Sequence, residues 1–270
     1  MDKVVGSAAE AVADIGSGSR IAVGGFGLAG IPWILIDALL TQGADELEIV
    51  SNNLGVDGAG LGLLLERHRI RRAISSYLGV NKEFARQYLA GELEVELTPQ
   101  GTLAERLRAG GAGIGAFYTP SGVGTVVADG GLPWRYSPDG SIALASPPKD
   151  VREFGGRRMV LEEGIVSDFA LVRAAVADRH GNLRFRAAAQ NFNPPAAMSG
   201  RITIVEAETV VEAGDLAADD IHLPGVFVNR VVALTPEQAN RKMIEKRTTT
   251  PRPGAGATAV ATVAANEKVA

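Results

Sequence analysis

Along the chain, short β-branched runs alternate with stretches whose apolar residues recur at helical intervals. Arg20-Ile-Ala-Val23 and Leu47-Glu-Ile-Val50 are strand-like, and Pro32 to Leu40 between them has helical spacing, which makes a βαβ unit. The alternation continues with a helix near Gly60 to Arg67, a strand near Ile70 to Ser75, a helix from Lys82 to Ala90 and a strand from Leu93 to Leu97. Strands and helices in this order imply a three-layer α/β/α fold with a mostly parallel central sheet covered on both faces. Gly43 and Gly91 stand just past two of the helices, where a left-handed C-cap is expected. Thr102-Leu-Ala-Glu105 fits a capping box and predicts a helix start directly after Pro99-Gln100-Gly101.

From Gly110 the texture changes. Gly110 to Gly115 and Phe117 to Gly124 form a glycine-rich stretch expected to be a long functional or mobile loop. Ser141 to Leu161 predicts short strands, with turns at Pro138-Asp-Gly140 and Gly155-Gly156, and so a β-rich insertion. Phe169 to Ala177 and Leu183 to Arg186 flank a turn at Asp178 to Asn182, which predicts a hairpin. Ile202 to Val205 and Val226 to Val232 are β-branched runs expected in the core. A last helix is expected around Glu237 to Lys246. One domain over residues 1–247 is therefore expected, followed by a disordered Thr, Pro, Gly and Ala-rich tail over residues 248–270. No internal repeat is visible.

Composition narrows the chemistry. The 270 residues carry 27 basic and 31 acidic side chains, a net charge of −4 that offers no broad cationic surface to a nucleic acid. Cysteine is absent, which excludes disulfides, thiolate metal sites and a cysteine nucleophile, and fits a reducing compartment. Met1 to Ile15 carries Asp2, Glu10 and Asp14 in place of a signal-peptide core. The apolar stretch Leu28 to Leu40 contains Pro32 and Asp37 and falls short of the roughly 20 residues a membrane helix needs. A cytoplasmic protein with neither nucleic-acid nor membrane partners is expected. His68, His180 and His222 are scattered without metal-ligand spacing, so no metal is expected. No G-x-S-x-G elbow supports a serine hydrolase. Glu162-Glu163 and Asp219-Asp220 are expected to be solvated surface pairs.

Gly25-Phe-Gly-Leu-Ala-Gly30 satisfies G-x-G-x-x-G between a strand and a helix. A dinucleotide fold also needs an acidic residue at the end of the second strand, and here that strand runs into Ser51-Asn52-Asn53, which counts against it. Two readings of the glycines remain open. They bring backbone amides to an anion or oxyanion at a helix N-terminus, or they permit close strand-to-helix packing. Asn52 and Asn53 follow one strand and Gln100 another, in the crevice where open α/β sheets bind ligands. The competing reading gives the asparagines turn hydrogen bonds and makes Gln100 a helix cap.

The wider string Ile21-Ala-Val-Gly-Gly-Phe-Gly-Leu-Ala-Gly-Ile-Pro32 resembles the G-G-F-x-x-x-G-x-P signature of family I CoA-transferases. Upstream, the family's Asp or Asn followed by Gly or Asn is replaced by Ser17-Gly18. The resemblance continues through Ser51 to Asp57, Gly91 to Arg106, Ala116 to Pro120, Asn191-Phe-Asn-Pro194 and Ile221-His-Leu-Pro-Gly225, and covers about residues 5 to 245. Ala187-Ala-Ala-Gln190 departs from it, standing where family members commonly carry a Thr or Ser, Ala, Arg run. The string is most similar to the A subunits of 3-oxoacid CoA-transferases, with the 3-oxoadipate enzymes as near relatives.

The resemblance implies a fold of the CoA-transferase type and transfer of CoA from succinyl-CoA to a 3-oxoacid such as acetoacetate. It also implies a B-subunit partner in an αβ or α2β2 assembly. The family's nucleophilic glutamate lies in a Glu-Asn-Gly context in that B half, and no Glu-Asn-Gly occurs here, so this chain alone is expected to be inactive. The CoA thioester is then a substrate, and no resident cofactor is expected. Asn52, Asn53 and Gln100 are expected to supply supporting amides. Gly24, Gly25, Phe26, Gly27, Leu28, Ala29 and Gly30 are expected to line the CoA or substrate site. Alternatives are a 3-oxoadipate enzyme, a non-catalytic CoA-binding paralogue, or a related heterodimer that hydrolyses CoA esters.

Overall fold

The computed structural model describes residues 1–79 and 81–242. Among them a nine-stranded sheet runs in the spatial order Val4–Val5, Arg230–Ala233, Gly200–Val211, Ser167–Asp178, Arg20–Val23, Leu47–Val50, Ile70–Ser75 and Glu94–Leu97, with Leu183–Arg184 added at one end of Ser167–Asp178. Every pairing along the main path is parallel, and only Leu183–Arg184 runs antiparallel. Parallel strands are buried on both faces, and successive side chains point to opposite sides. Ile21 and Val23 thus join a cluster with Leu35, Leu39, Leu64 and Phe84 from the helices Trp33–Gln42, Gly62–Glu66 and Lys82–Leu89. Ala22, Val50 and Ile74 join another with Leu103 and Leu107 of the helix Gln100–Gly111 and Ala196 and Ala197 of Asn193–Ser199. The expected three layers are present.

Between Gln100–Gly111 and Ser167–Asp178 lies the β-rich insertion. It consists of a three-stranded antiparallel sheet (Ala116–Thr119, Arg157–Glu163, Val151–Phe154) and a two-stranded one (Pro133–Tyr136, Ile142–Ala145). Gly43 is the left-handed C-cap of Trp33–Gln42 and returns its N–H to Leu39 O. The hairpin at Asp178 to Asn182 pairs Val176 with Arg184 and Ala177 with Leu183.

Other expectations need correction. The helix predicted from Thr102 begins two residues earlier, at Gln100, with Pro99 as N-cap. Leu103 then donates to Pro99 O, which seats Leu103 and Leu107 in the core. Thr102 is left inside the first turn, buried, its hydroxyl without a hydrogen bond among the described residues. Gly110 and Gly111 close this helix instead of opening a loop, because a Cβ at Gly110 would stand 2.0 Å from Ile165 O. Ala116–Thr119 is a strand, not a loop. In the run Val226 to Val232 only Arg230–Ala233 pairs. Gly225–Phe227 is a 3-10 turn that leaves Val226 82% exposed. The last helix is shorter than expected: Pro236–Ala239 is a single turn with a Thr235–Gln238 capping box and ends at the C-cap Asn240, with Arg241 and Lys242 already outside it, while residues 243–246 and the tail lie outside the described residues.

Glu162 is buried, contrary to the surface expectation. It pairs with Lys149 at 2.6 Å and lies 3.9 Å from Arg106. It ends an ion-pair ladder across the sheet's insertion-covered face: Arg20 with Glu48, Glu48 and Glu96 with Arg72, and Glu96 with Arg106. Arg20, Arg72, Glu96, Arg106 and Glu162 also line a 410 Å3 cavity there, with Trp134 among its walls.

Candidate active site

Chain order reverses across the strand Arg20–Val23. The three strands that follow in sequence lie on one side of it, and Ser167–Asp178 lies on the other. Such a switch point opens a crevice at the carboxyl ends of the strands. The glycine loop begins there, with Gly24 N–H donating to Leu171 O.

Phe26 and Ala29 exchange a reciprocal pair of 3.0 Å backbone hydrogen bonds, folding the loop into a miniature hairpin. The next strand ends in a second copy of the device. Val56 and Ala59 make the same reciprocal bridge within Gly55-Val-Asp-Gly-Ala-Gly60. Gly25 and Gly30 of the first, like Gly55 and Gly60 of the second, adopt positive φ between 60° and 109°, a region open to glycine and strained for side-chain-bearing residues. The repeat is only six residues long and differs at three of them, too little for the sequence pattern to expose. The two hairpins pack through Leu28, Ile31, Val56 and Ala59.

The amides predicted from sequence converge beneath these hairpins. Gln100 Nε2 donates to Asn52 Oδ1 at 2.7 Å, and Ser76 Oγ donates to the same oxygen at 2.8 Å. Asn53 Oδ1 accepts the Gly27 N–H at 2.9 Å, and Asn52 Nδ2 stands 3.4 Å from it. Asn52 and Asn53 are buried, while Gln100 is exposed at the first residue of its helix and makes no side-chain cap. Strand ends 26 and 48 residues apart in sequence are therefore tied by side-chain amides. Phe26 and Tyr77 stand exposed on the flanking loops, at 47% and 60%.

Of the two open readings of the glycine loop, the one that needs a free helix start is disfavoured. The helix after the glycine loop does not offer its N-terminus to an external anion, because Glu206 already fills it. Glu206 Oε2 accepts Ile34 N–H at 2.8 Å and Leu35 N–H at 3.0 Å, and Oε1 accepts from Arg173 Nη1 at 3.1 Å. Arg173 and Glu206 are paired neighbours in register on adjacent strands. Burial pushes the Glu206 carboxyl up to about 7, against the opposing pull of Arg173 and the two amides. Asp57 occupies a second helix start in the same way, accepting from Lys82 N–H and Glu83 N–H.

Asn193, also unpredicted, braces the glycine loop. Its Nδ2 donates to Gly30 O and Ala189 O, and its Oδ1 accepts Arg173 N–H. Asn191 Nδ2 donates to Ala29 O. The contacts to Gly30 and Ala29 span more than 160 residues, so only the charges set within the apolar strand runs Phe169 to Ala177 and Ile202 to Val211 could have signalled them, since a buried charge demands a partner.

A doubly bridged glycine crevice at the switch point of a parallel sheet, floored by side-chain amides, defines the ligand-binding framework of an open α/β protein. Residues 5–234 match the coenzyme A transferase family, and the chain belongs to it. It is 66% identical over 248 residues, 92% of its length and 99% of the relative's, to a Mycobacterium tuberculosis protein described as the A subunit of a probable succinyl-CoA:3-ketoacid coenzyme A transferase. It is 52% identical over 239 residues to human succinyl-CoA:3-ketoacid coenzyme A transferase 2, mitochondrial, covering 88% of this chain and 46% of that longer one. In fold it is similar to an acyl-CoA transferase of Escherichia coli O157:H7 (TM-score 0.72, 24% identity, 88% of this chain and 48% of that one). Glutaconate coenzyme A-transferase of Acidaminococcus fermentans is comparably similar (TM-score 0.71, 22% identity, 89% and 78%).

Proposed function

We propose that this chain is the A subunit of a CoA-transferase that moves CoA from succinyl-CoA to a 3-oxoacid such as acetoacetate, together with a B subunit in an αβ or α2β2 assembly. The observation that carries this reading is the 66% identity, over 248 residues, with a protein described as the A subunit of a probable enzyme of this kind. Two further features support a second chain. The human relative is about twice as long as the stretch matched here. Phe26 and Tyr77 leave apolar surface at the rim of the crevice, a surface suited to a protein partner.

The partner's glutamate carboxylate attacks the succinyl-CoA carbonyl and expels CoA thiolate, leaving a mixed anhydride. The thiolate attacks the glutamyl carbon of that anhydride, giving glutamyl-CoA and free succinate. The 3-oxoacid carboxylate then attacks the glutamyl thioester and again expels thiolate. Attack of that thiolate on the 3-oxoacyl carbonyl yields the product and regenerates the glutamate. No cofactor enters this sequence. Oxygen gains negative charge in each tetrahedral step, and Gln100 Nε2 and Asn52 Nδ2, each with one N–H directed to a neighbouring amide oxygen, have a second neutral N–H to donate. The glycine hairpin lets the thioester approach backbone closely.

Reconstitution with the B partner tests this. The pair is expected to exchange CoA between succinyl-CoA and acetoacetate with ping-pong kinetics, and the present chain alone is expected to be inactive. A CoA adduct trapped on this chain, or turnover by it unaided, would refute the division of labour. Preference for 3-oxoadipate over acetoacetate in the same assay would move the protein to the neighbouring substrate class.

A further inference from the structure

We infer that Glu206 is a positioning residue for the transfer reaction: from a buried central strand it fills the N-terminus of Trp33–Gln42 and thereby fixes the glycine loop over Asn53. The role in catalysis rests on the CoA-transferase function proposed above, while the positioning rests on geometry.

Glu206 is fully buried, and nothing in the proposed chemistry uses it. Its placement is costly, because a buried ion pair gives little stability that well-packed apolar residues would not match. Helix starts are ordinarily capped by a local Ser, Thr, Asp or Asn. Here the N-cap is Pro32, whose side chain can cap nothing, and the Ile34 N–H goes to a carboxylate 172 positions further along the chain. A long-range cap specifies where the helix begins relative to the sheet, which a local cap cannot do. Glu206 holds Ile34 and Leu35 just after the loop, and Asn193 holds Gly30 within it. Arg173 joins the two braces, donating its side chain to Glu206 and its backbone N–H to Asn193. Arg173 is itself held by Glu208, at 3.0 Å, and by Ala239 O, so the brace has a fixed base. Between the anchored segments runs the hairpin whose Gly27 N–H meets Asn53. A slip at the helix start therefore moves Gly27 away from Asn53 and disturbs the Asn52–Gln100 contact beside it.

Glu206→Ala, Glu206→Asp and Glu206→Gln in the full chain assembled with its partner test the inference. In Glu206→Ala, kcat is expected to fall by about 10- to 100-fold with both KM values within about threefold, the effect of a misplacement on the order of an ångström. Gln keeps an oxygen for the two amides and should recover most of the rate, while Asp, one methylene short, should resemble Ala. Wild-type kcat in the Ala and Asp variants, or a Gln variant as slow as Ala, overturns the proposal. If the Ala variant does not fold, the Gln and Asp variants decide by the same comparison. A second readout needs no activity. Hydrogen exchange over residues 24–36 should quicken at least about tenfold in Glu206→Asp while residues 94–97 keep their protection. Unchanged loop exchange overturns the positioning role, whereas an inactive wild-type assembly would overturn only the proposed reaction.

Discussion

Replacing Gly24 with alanine is the sharpest probe of the glycine crevice. A Cβ there would stand 2.0 Å from Asn193 Oδ1, 2.7 Å from its Cγ and 3.1 Å from its Cα. The first two contacts could be relieved by swinging the Asn193 side chain, but the third is to backbone. Swinging it breaks the bonds to Arg173 N–H, Gly30 O and Ala189 O inside a fully buried site. Each such bond contributes about 0.5–1.5 kcal/mol net. Keeping the bonds instead means overpacking, at about 1–3 kcal/mol. The molecule takes the cheaper mixture, so Gly24→Ala should cost roughly 3 kcal/mol, a large share of a typical domain's 5–15 kcal/mol. Asn193→Ala alone should cost about 2–4 kcal/mol, because it leaves buried carbonyls and an amide unpaired. The double variant should cost less than the sum of the two single variants, since truncating Asn193 removes the two shortest contacts and leaves only the 3.1 Å one to its Cα. Urea unfolding followed by the fluorescence of buried Trp33 supplies the double-mutant cycle. Costs that add within about 0.5 kcal/mol would show that Gly24 and Asn193 do not compete for that space.

Gln100→Ala in the assembled enzyme should lower kcat/KM by roughly 10- to 100-fold, with a melting temperature close to wild type because the side chain is exposed. For Glu206 the folded carboxyl titrates near 7 against an ordinary 4.5, so its contribution is fully present below pH 4.5 and declines as pH rises to 7. Relative to Glu206→Gln, wild type should therefore lose up to about 3 kcal/mol across that window, measured by denaturation at a series of pH values. Burial alone would raise the Glu96 carboxyl, but Arg106, Arg72 and Lys149 hold it below its ordinary range. Its contribution is present above pH 4.5 and lost on acidification, so Glu96→Gln should cost about 3–5 kcal/mol at pH 7 and much less near pH 3.

The alternating half of the fold was legible because each strand and helix from Arg20 to Leu97 carries its own period. Asn52, Asn53 and Gln100 were legible for a related reason: strand ends are visible in sequence, and a parallel sheet gathers its carboxyl ends into one crevice. The failures share a physical cause. Thr102 and Glu105 satisfy a local capping rule, yet burial of Leu103 and Leu107 sets the helix start at Gln100. Gly110 and Gly111 have poor helical propensity but are needed where the helix passes Ile165 and Met198. Glu162 has the look of a surface residue until the insertion folds back and brings Lys149 to it. Glu206 and Asn193 act across more than 160 residues, a distance over which no periodicity carries information.

The same long-range contacts bear on how a loop with the spacing of a dinucleotide-binding turn would serve the transfer reaction proposed above. In a nucleotide fold the helix start stays open, and its partial positive charge meets a phosphate. Here Glu206 and Asp57 consume two such starts from within the chain. The amides left toward the crevice are uncharged. On the proposed mechanism that is an advantage, because the attacking group is a carboxylate. A full positive charge beside it would stabilise the resting anion and lower its nucleophilicity, while also favouring the expelled thiolate. Neutral donors such as Asn52 and Gln100 gain most of their interaction when charge moves onto the carbonyl oxygen in the tetrahedral step. On that mechanism, closing the helix starts with internal carboxylates turns a phosphate cradle into a pocket that discriminates between ground state and transition state.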